Sequence, residues 1–351
     1  MKTTDYYKHG GDIYDIKRRH KKDVIDFSAN INPLGLSQKI KNSLKSGLDS
    51  LIHYPDPDMY ALKNAIAKHF NLDKENILLG NGSTELIYLF FNCFKPSSVT
   101  LPVPCFTEYE RAAKIVNTNI KFVKLKKKEG FKLHLEEADY SDAIFICNPN
   151  NPTGNFIADD RSSIKDLSYN MIVVDEAFMD FVPDEDKYSL IKEAVTRKNI
   201  IVLRSFTKFF AVPGLRIGFL VSHKENIEKL QQHQMPWSIN SLAQKAGEHL
   251  LFDIAYIQKT KELIAKEKAF LFAQLSTIKG LKPYPSEANF IFIKIKSRNL
   301  TSTCLKNKLL AKGLLVRNCA NFKGLTGHFF RIAVRSHKEN VQLIKTLKKI
   351  L

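Results

Sequence analysis

The chain has 351 residues, of which 44% are hydrophobic, so it is long enough for two or three structural units with a sizeable core. Its 54 Lys and Arg residues outnumber 36 Asp and Glu residues, and the formal net charge is +18. A net charge of +13 falls within the last 58 residues. This composition excludes a short peptide or a disordered tail. It predicts an anionic partner, which could be nucleic acid, a membrane surface or a small phosphate.

The five cysteines indicate a reducing environment. They are scattered and lack a C-x-x-C pair, which argues against a disulfide framework and against a zinc site. Residues 1–12 lack the apolar stretch of a secretory signal, and no apolar run reaches the ~18 residues of a membrane span. We therefore expect a cytoplasmic protein with no membrane partner and no bound metal.

Short apolar runs alternate with helical segments through the first two-thirds of the chain. The runs cover residues 76–79, 99–101, 120–123, 143–147, 171–174, 200–203 and 217–221, and most are rich in β-branched residues. Segments 84–93, 107–116 and 160–167 have helical periodicity, and Ser83 is the predicted N-cap of the first. The alternation predicts an α/β fold with a mainly parallel seven-stranded sheet between helices.

After Trp237 the pattern changes to that of a smaller α+β unit. Helices are predicted at 242–251, 254–275 and 301–312 and at the end of the chain, and strands at 289–295 and 329–334. We therefore predict that residues 1–45 form an N-terminal arm and part of the small domain. Residues 46–240 form the large domain, and residues 241–351 form the C-terminal small domain.

The most informative motif is Ser205-Phe206-Thr207-Lys208, with Arg216 eight positions after the lysine. Hydroxyl groups and a guanidinium can bind a phosphate, while a partly desolvated lysine amine can act as a nucleophile. Taken alone, a lysine in such a loop is more often an ordinary surface residue, so the prediction depends on the motifs that accompany it.

Three further motifs accompany the lysine. Asp175 ends an apolar strand, where a carboxylate can keep a pyridinium nitrogen protonated, although it could instead cap a helix. The segment 148–154 contains three Asn and two Pro after another strand, which suits a tight turn or a ligand site. The segment 80–85 is a glycine turn leading into a helix, whose N–H groups can bind an anion.

The combination of these motifs, in this order, resembles the pyridoxal-phosphate enzymes of fold type I, in the aminotransferase class I/II that includes histidinol-phosphate aminotransferase. The resemblance implies pyridoxal 5'-phosphate as cofactor, with Lys208 as the Schiff-base lysine, Asp175 at the pyridine nitrogen and Asn151 at the ring hydroxyl. It implies that Phe106 stacks on the ring and that the cofactor phosphate is held by Gly82, Ser83, Thr84, Ser205, Thr207 and Arg216. It also implies a homodimer in which Tyr54 reaches the neighbouring subunit's cofactor.

One departure and four further segments narrow the resemblance. Many aminotransferases have Tyr where this chain has Phe178, so the phenol that contacts the ring oxygen is missing. Segments 9–11 and 26–35, and the arginine-containing segments 316–319 and 330–335, are similar to the threonine-phosphate decarboxylases of cobamide biosynthesis.

That similarity implies a site for a substrate with both a carboxylate and a phosphate. Arg331 would bind the carboxylate, and Arg317 with the His9 loop would bind the phosphate; the implied substrate contacts are His9, Gly10, Asn32, Asn151, Arg317 and Arg331. Two anionic groups need two cationic clamps, and bidentate recognition favours Arg over Lys. Alternatively, the arginines belong to a basic face, the His-Gly-Gly segment is a loose terminus and Asn32 only caps a turn.

We therefore expect decarboxylation of a small phosphorylated amino acid for the linker of the cobamide nucleotide loop. Either L-threonine O-3-phosphate or L-serine O-phosphate could be the substrate, because they differ by one methyl group. The alternative is an aminotransferase of the histidinol-phosphate type. A basic nucleic-acid-binding protein is less favoured, because the chain has no helix with clustered Arg and aromatic residues, no zinc spacing and no stacking motif.

Overall fold

The computed structural model describes residues 9–21, 23–134, 140–158 and 161–351, apart from the side chain of His20. The strands are β1 Ile25–Asp26, β2 Ile77–Asn81, β3 Ser98–Val103, β4 Asn119–Lys124, β5 Ala143–Cys147, β6 Met171–Asp175, β7 Ile200–Ser205, β8 Ile217–Ser222, β9 Leu281–Pro283, β10 Phe290–Ile295, β11 Leu314–Leu315, β12 Arg317–Asn318 and β13 Phe329–Ala333. The α-helices are α1 Ile13–His20, α2 Gln38–Ser46, α3 Tyr60–Phe70, α4 Gly82–Phe94, α5 Thr107–Ile115, α6 Ser162–Lys165, α7 Ile191–Thr196, α8 Lys224–Gln231, α9 Ser241–Leu250, α10 Ile254–Ser276, α11 Ser302–Leu310 and α12 His337–Ile350. Short 3-10 helices cover Leu48–Ile52, Lys74–Asn76, Lys127–Glu129, Met179–Phe181 and Glu185–Lys187.

The large sheet contains seven strands in the order β2-β8-β7-β6-β5-β3-β4. Every residue of β5 and β7 is buried, and in β6 only Met171 is partly exposed, because helices cover both faces of a parallel sheet. The predicted α/β fold is confirmed, and all seven predicted runs are strands of this sheet. Strand β8 is antiparallel to both its neighbours, since the loop after β7 is too short for the crossover helix that a parallel connection needs.

The structure differs from the predicted helices at two places. Helix α4 begins at Gly82 with Asn81 as N-cap, so the prediction of Ser83 as N-cap is wrong. The glycine adopts a φ of +78° and turns the chain into the helix two residues earlier than the pattern indicates. The predicted helix 160–167 is reduced to α6, and its first residue, Asp160, lies outside the described residues.

A second, smaller sheet has the strand order β12-β13-β10-β9, with antiparallel pairing throughout. The N-terminal segment joins this part of the chain, because β1 pairs in parallel with β11 and the Ala333 N–H donates to the Phe27 carbonyl at 2.8 Å. Helix α12 begins with a capping box in which Ser336 and Glu339 exchange hydrogen bonds. The domain boundaries given above stay a prediction. Over the part of the chain described here, no helix is both long enough and apolar enough to span a membrane.

Strands β6 and β7 are joined at their ends by a buried ion-pair cluster. Arg204 is 1% exposed, and its guanidinium lies 3.2 Å from Glu176, 3.3 Å from Asp180 and 2.5 Å from Glu185. Glu176 also accepts hydrogen bonds from the Ser189 hydroxyl and the Leu190 N–H. Neighbouring residues in a strand point to opposite faces. The cluster around Arg204 therefore also fixes the backbone of the adjoining residues, Asp175 at the end of β6 and Ser205 at the end of β7.

Replacing Arg204 should strongly destabilise the protein. In Arg204→Met, three carboxylates lose their shared cation, and breaking a buried pair in this way costs about 3–5 kcal/mol. The free energy of unfolding can be measured with urea. The matched control is Lys187→Met, because Lys187 and its partner Asp184 are both exposed and such pairs contribute less than about 1 kcal/mol. Equal losses in the two variants would contradict the structural importance of the cluster.

Candidate active site

Three neighbouring parallel strands end at one edge of the large sheet and bring the predicted motifs together. Strand β5 ends at Cys147, β6 at Asp175 and β7 at Ser205, and Cys147 lies opposite Asp175 in the ladder. The Asn148 N–H donates to the Asp175 carbonyl at 2.9 Å. In α/β sheets, ligands bind outside the carboxyl ends of such strands. The fold therefore places the Asn-Pro turn, the carboxylate and the lysine loop around one site.

Lys208 has two hydroxyl groups beside its amine. Nζ lies 3.3 Å from both Ser205 Oγ and Thr207 Oγ1, and these two oxygens are 2.8 Å apart. Burial lowers the pKa of Lys208; the Asp175 carboxylate opposes this shift and the Arg216 guanidinium adds to it. A larger fraction of the amine is therefore uncharged, which is the form in which a lysine acts as a nucleophile.

Asp175 is buried and accepts two hydrogen bonds. The Tyr109 hydroxyl donates to Oδ2 at 2.5 Å, and the Ala177 N–H donates to Oδ1 at 2.9 Å. Burial raises the pKa of Asp175, while the Tyr109 hydrogen bond and the charge of Lys208 oppose the rise. The tyrosine thus supports the anionic form that could face a pyridinium nitrogen.

Tyr109 belongs to none of the motifs that predicted the site. The sequence feature that could have identified Tyr109 is its position three residues after Phe106, which places it on the first turn of α5. The two rings meet edge to face with centroids 5.6 Å apart. Phe106 is half-buried, and the structure therefore places the predicted stacking residue next to the tyrosine that holds Asp175.

The beginning of α4 and the end of the lysine loop form a compact cradle. A Cβ at Gly82 would overlap the Arg216 guanidinium, and a Cβ at Gly218 would overlap the backbone nitrogen of Ser83. The two glycines therefore allow Arg216 and strand β8 to approach the N-terminus of α4, where free N–H groups attract anions. Ser83 is buried and Thr84 half-buried in the first helical turn. Gly218, like Tyr109, was not among the predicted site residues.

These features fit pyridoxal 5'-phosphate. The Gly82 cradle combines backbone donors, hydroxyl groups and a guanidinium, which suit the cofactor phosphate. Lys208 has a depressed pKa, which suits a bond to a carbonyl carbon, and Asp175 is a buried carboxylate, which suits the ring nitrogen. Each part of the site is thus matched to one part of the cofactor.

Arg331 connects the small sheet to the Asn-Pro turn. Its Nη1 donates to Asn151 Oδ1 and its Nη2 donates to the Ser28 carbonyl at 3.1 Å, while the guanidinium lies 4.8 Å from the Phe290 ring centroid. Burial lowers the pKa of Arg331 to about 10. Its Nε is buried and has no hydrogen-bond partner among the described residues. This cation can therefore accommodate an additional anionic ligand.

A cavity of about 430 Å³ lies next to Arg317, and His9, Gly10, Ser28 and Lys306 also line it. Arg317 is buried and donates to the Asn318 carbonyl at 2.7 Å and to Asn321 Oδ1 at 2.9 Å. His9 Nε2 is 2.7 Å from a Glu108 oxygen. Three basic side chains, those of His9, Lys306 and Arg317, therefore line one concave surface together with one acid, Asp12, and the basic groups suit a phosphate. We call it the His9–Arg317 cavity.

Asn32 attaches the N-terminal segment to the lysine loop. Its N–H donates to the Lys208 carbonyl at 3.0 Å, and its Nδ2 donates to the Phe209 carbonyl and the Thr260 hydroxyl, both at 2.7 Å. Its Oδ1 accepts from the Leu34 N–H at 3.0 Å. Both amide hydrogens are thus used within the protein, which supports the alternative of a turn cap. A contact between Asn32 and substrate stays a prediction.

Tyr54 lies on the surface. It is 80% exposed and stacks on Trp237 with ring centroids 4.8 Å apart. Its predicted contact with a cofactor requires a neighbouring subunit and also stays a prediction.

The chain is similar to known enzymes over nearly its whole length. The family described as aminotransferase class I and II matches residues 22–347. A threonine-phosphate decarboxylase of Salmonella typhimurium is 36% identical over 359 residues, which cover 98% of this chain and 96% of that protein. A histidinol-phosphate aminotransferase of Methanocaldococcus jannaschii is 32% identical over 338 residues, which cover 94% and 90%. The crystal structure of L-threonine-O-3-phosphate decarboxylase from Porphyromonas gingivalis matches with a TM-score of 0.83 at 27% identity, covering 92% of this chain and 98% of that one.

Tyr109→Phe should weaken the binding of pyridoxal phosphate. The variant keeps the ring but removes the donor to the buried Asp175 carboxylate, and a hydrogen bond to a charged group contributes about 1.5–3 kcal/mol. We expect the dissociation constant of the cofactor, measured by fluorescence titration of the apo-protein, to rise at least about tenfold.

Tyr284→Phe is the matched control for this measurement. Tyr284 is also buried, but its hydroxyl has no hydrogen-bond partner within the described ranges, so its removal should leave cofactor affinity unchanged. An unaltered dissociation constant in Tyr109→Phe would refute the contribution of Tyr109.

Proposed function

The chain belongs to the class I and II aminotransferase family, and on that premise we propose that it decarboxylates an O-phospho amino acid. The substrate would be L-threonine O-3-phosphate, giving (R)-1-aminopropan-2-yl phosphate, or L-serine O-phosphate, giving ethanolamine phosphate. The product would serve as the linker of the cobamide nucleotide loop. The similarity to threonine-phosphate decarboxylases over nearly the full length supports this proposal.

The observation that carries the proposal is a pair of buried arginines on the small sheet. Arg317 of β12 and Arg331 of β13 are direct cross-strand partners. Their side chains therefore leave the sheet on the same face, where two like charges repel each other unless anions compensate them. Both residues are buried, which increases the cost of that repulsion. A substrate with a carboxylate at one end and a phosphate at the other supplies an anionic group for each arginine.

The residues of the chain have two kinds of role in the reaction: some bind and orient the reactants, and one transfers a proton. Pyridoxal phosphate, when bound, supplies an electron sink for the pair released at the substrate Cα. Asp175 holds the positive charge of the ring nitrogen, and Tyr109 keeps that carboxylate ionised. Arg331 orients the carboxylate that leaves, and binding of the remote phosphate in the His9–Arg317 cavity helps to hold the reacting bond in position. The Lys208 amine is the candidate that returns a proton to Cα.

A histidinol-phosphate-type aminotransferase is the second candidate. The similarity to the Methanocaldococcus jannaschii enzyme supports it. Against it, Phe178 lies with its ring centroid 5.4 Å from Lys208 Nζ and has no hydroxyl group to contact a cofactor oxygen. The two candidates share the phosphate site and differ in whether the Cα–carboxylate or the Cα–hydrogen bond breaks.

The decarboxylase can be tested without any keto acid. The holoenzyme incubated with O-phospho-L-threonine, and separately with O-phospho-L-serine, should release carbon dioxide and the corresponding amine phosphate. Lys208→Ala should reduce the rate by several orders of magnitude, because it removes both the nucleophile and the candidate proton donor. Turnover that requires a keto acid and releases no carbon dioxide would favour the aminotransferase instead.

We also propose that the protein is a cytoplasmic homodimer. All five cysteines are free thiols, which suits a reducing compartment. Large apolar side chains cluster on the surface around Tyr54 and Trp237; the most exposed are Ile52, Tyr54, Tyr60 and Met235. Tyr60, Met235 and Trp237 line a common cavity of about 770 Å³. An exposed apolar patch of this kind marks an interaction surface, and a second copy would bring Tyr54 to the neighbouring cofactor.

Light scattering after size exclusion should give twice the mass of the 40.1 kDa chain. Trp237→Glu should shift the equilibrium to the monomer, because it places a charge in the apolar patch. Phe252→Glu, at another partly exposed aromatic residue, is the control and should remain dimeric. A monomeric wild-type protein would overturn the dimer.

A further inference from the structure

Glu108 is a buried acid that belongs to none of the motifs described above. It lies on α5 and is 4% exposed. Oε1 is 2.7 Å from His9 Nε2, and Oε2 accepts a hydrogen bond from the Tyr88 hydroxyl, also at 2.7 Å. Arg111, one turn further along the helix, lies 3.7 Å from Oε2. Both oxygens of a buried carboxylate are thus engaged.

The contacts fix the charge of Glu108. Burial favours the neutral acid, but the hydrogen bonds from His9 and Tyr88 outweigh it, and the pKa of Glu108 lies below its usual range. An ionised carboxylate only accepts hydrogen bonds, so His9 must carry a proton on Nε2. The Nδ1 atom of the same ring is then the one available to a ligand, and it can donate to a phosphate oxygen when the ring carries its second proton.

The same contact determines where the His9 ring lies. The ring is tilted against Phe106, with centroids 5.3 Å apart, and it lines the His9–Arg317 cavity. The next residues are fixed independently, because Gly10 packs so tightly on the Ser28 carbonyl that a Cβ would overlap it, and the Gly11 N–H donates to Ser28 Oγ at 2.8 Å. The backbone of the loop is therefore held by Ser28, whereas the His9 side chain is held by Glu108.

We propose that Glu108 is a positioning residue that holds His9 at the edge of the His9–Arg317 cavity for contact with the substrate phosphate. This inference rests on the proposed function in so far as the substrate carries a phosphate. Glu108 acts through His9 and does not itself touch the substrate. An acid that faced the phosphate directly would repel it, and the interposed imidazole separates the two anions.

The test compares Glu108→Gln, His9→Ala and the double variant. Gln can still accept a hydrogen bond from His9 but lacks the charge, and charged hydrogen bonds are about twice as strong as neutral ones. We expect KM for O-phospho-L-threonine to rise about tenfold in Glu108→Gln, with kcat within about twofold of wild type. In the His9→Ala background, Glu108→Gln should add less than about twofold, because the residue through which it acts is gone.

Two outcomes would overturn the proposal. An increase in KM of the same size with and without His9 would show that Glu108 acts by another route. A fall in kcat at constant KM would show an effect on the chemical step rather than on phosphate binding. Glu110→Gln is the matched control, since Glu110 is a buried acid on the same helix whose carboxylate lies 2.6 Å from Lys114. It should leave KM unchanged.

A binding measurement separates this inference from the proposed reaction. Inorganic phosphate can be titrated into the holoenzyme by calorimetry, and the cofactor then occupies the cradle at Gly82. The dissociation constant should rise about tenfold in Glu108→Gln, whatever reaction the enzyme catalyses. A normal constant would refute the positioning role, whereas a raised constant without decarboxylation would refute only the proposed reaction. If Glu108→Gln does not fold, Tyr88→Phe, which keeps the charge but removes one partner, should raise the same constant about threefold.

Discussion

The structure depends on placing charged groups side by side at the carboxyl ends of buried strands. Asp175 and Lys208 face the site at one edge of the large sheet, while Glu176, next to Asp175, and Arg204, next to the last residue of β7, are buried away from it. A buried charge is tolerated only when it is paired or hydrogen-bonded. The Arg204 cluster meets this condition entirely within the protein. Asp175 and Lys208 satisfy this condition only in part within the protein, and a bound cofactor would supply the further contacts of both charged groups.

The same reasoning applies to the small sheet. Arg317 and Arg331 are adjacent cross-strand residues on one face, and burial disfavours the charged form of both. The hydrogen bonds described above, to Asn318, Asn321, Asn151 and Ser28, are with neutral groups. Anionic groups of a bound substrate favour the charged form of both guanidinium groups. The site therefore suits a substrate with two negative ends.

The chemistry of the site could be predicted largely from local motifs, because each motif lies at a strand end or a helix start. The strands β5, β6 and β7 carry nearly continuous apolar sequences, which are typical of parallel strands. The motif order and the resemblance to the class I/II aminotransferases identified the family correctly. The exact start of α4 was not predictable, because the glycine at its first position permits a turn that other residues would not.

Sequence alone determined the family and predicted which residues form the site, since reactive residues at fixed spacings around buried strands allow few other arrangements. It also located most of the positive charge near the two arginines. Only the tertiary structure showed that Tyr109 donates to Asp175, that Glu108 holds His9 and that Asn32 uses its amide inside the protein. These contacts join residues 66, 99 and 177 positions apart, and no local pattern encodes such distances. The fold decides them, because it brings strand ends, helix starts and the N-terminal segment to a single edge of the sheet.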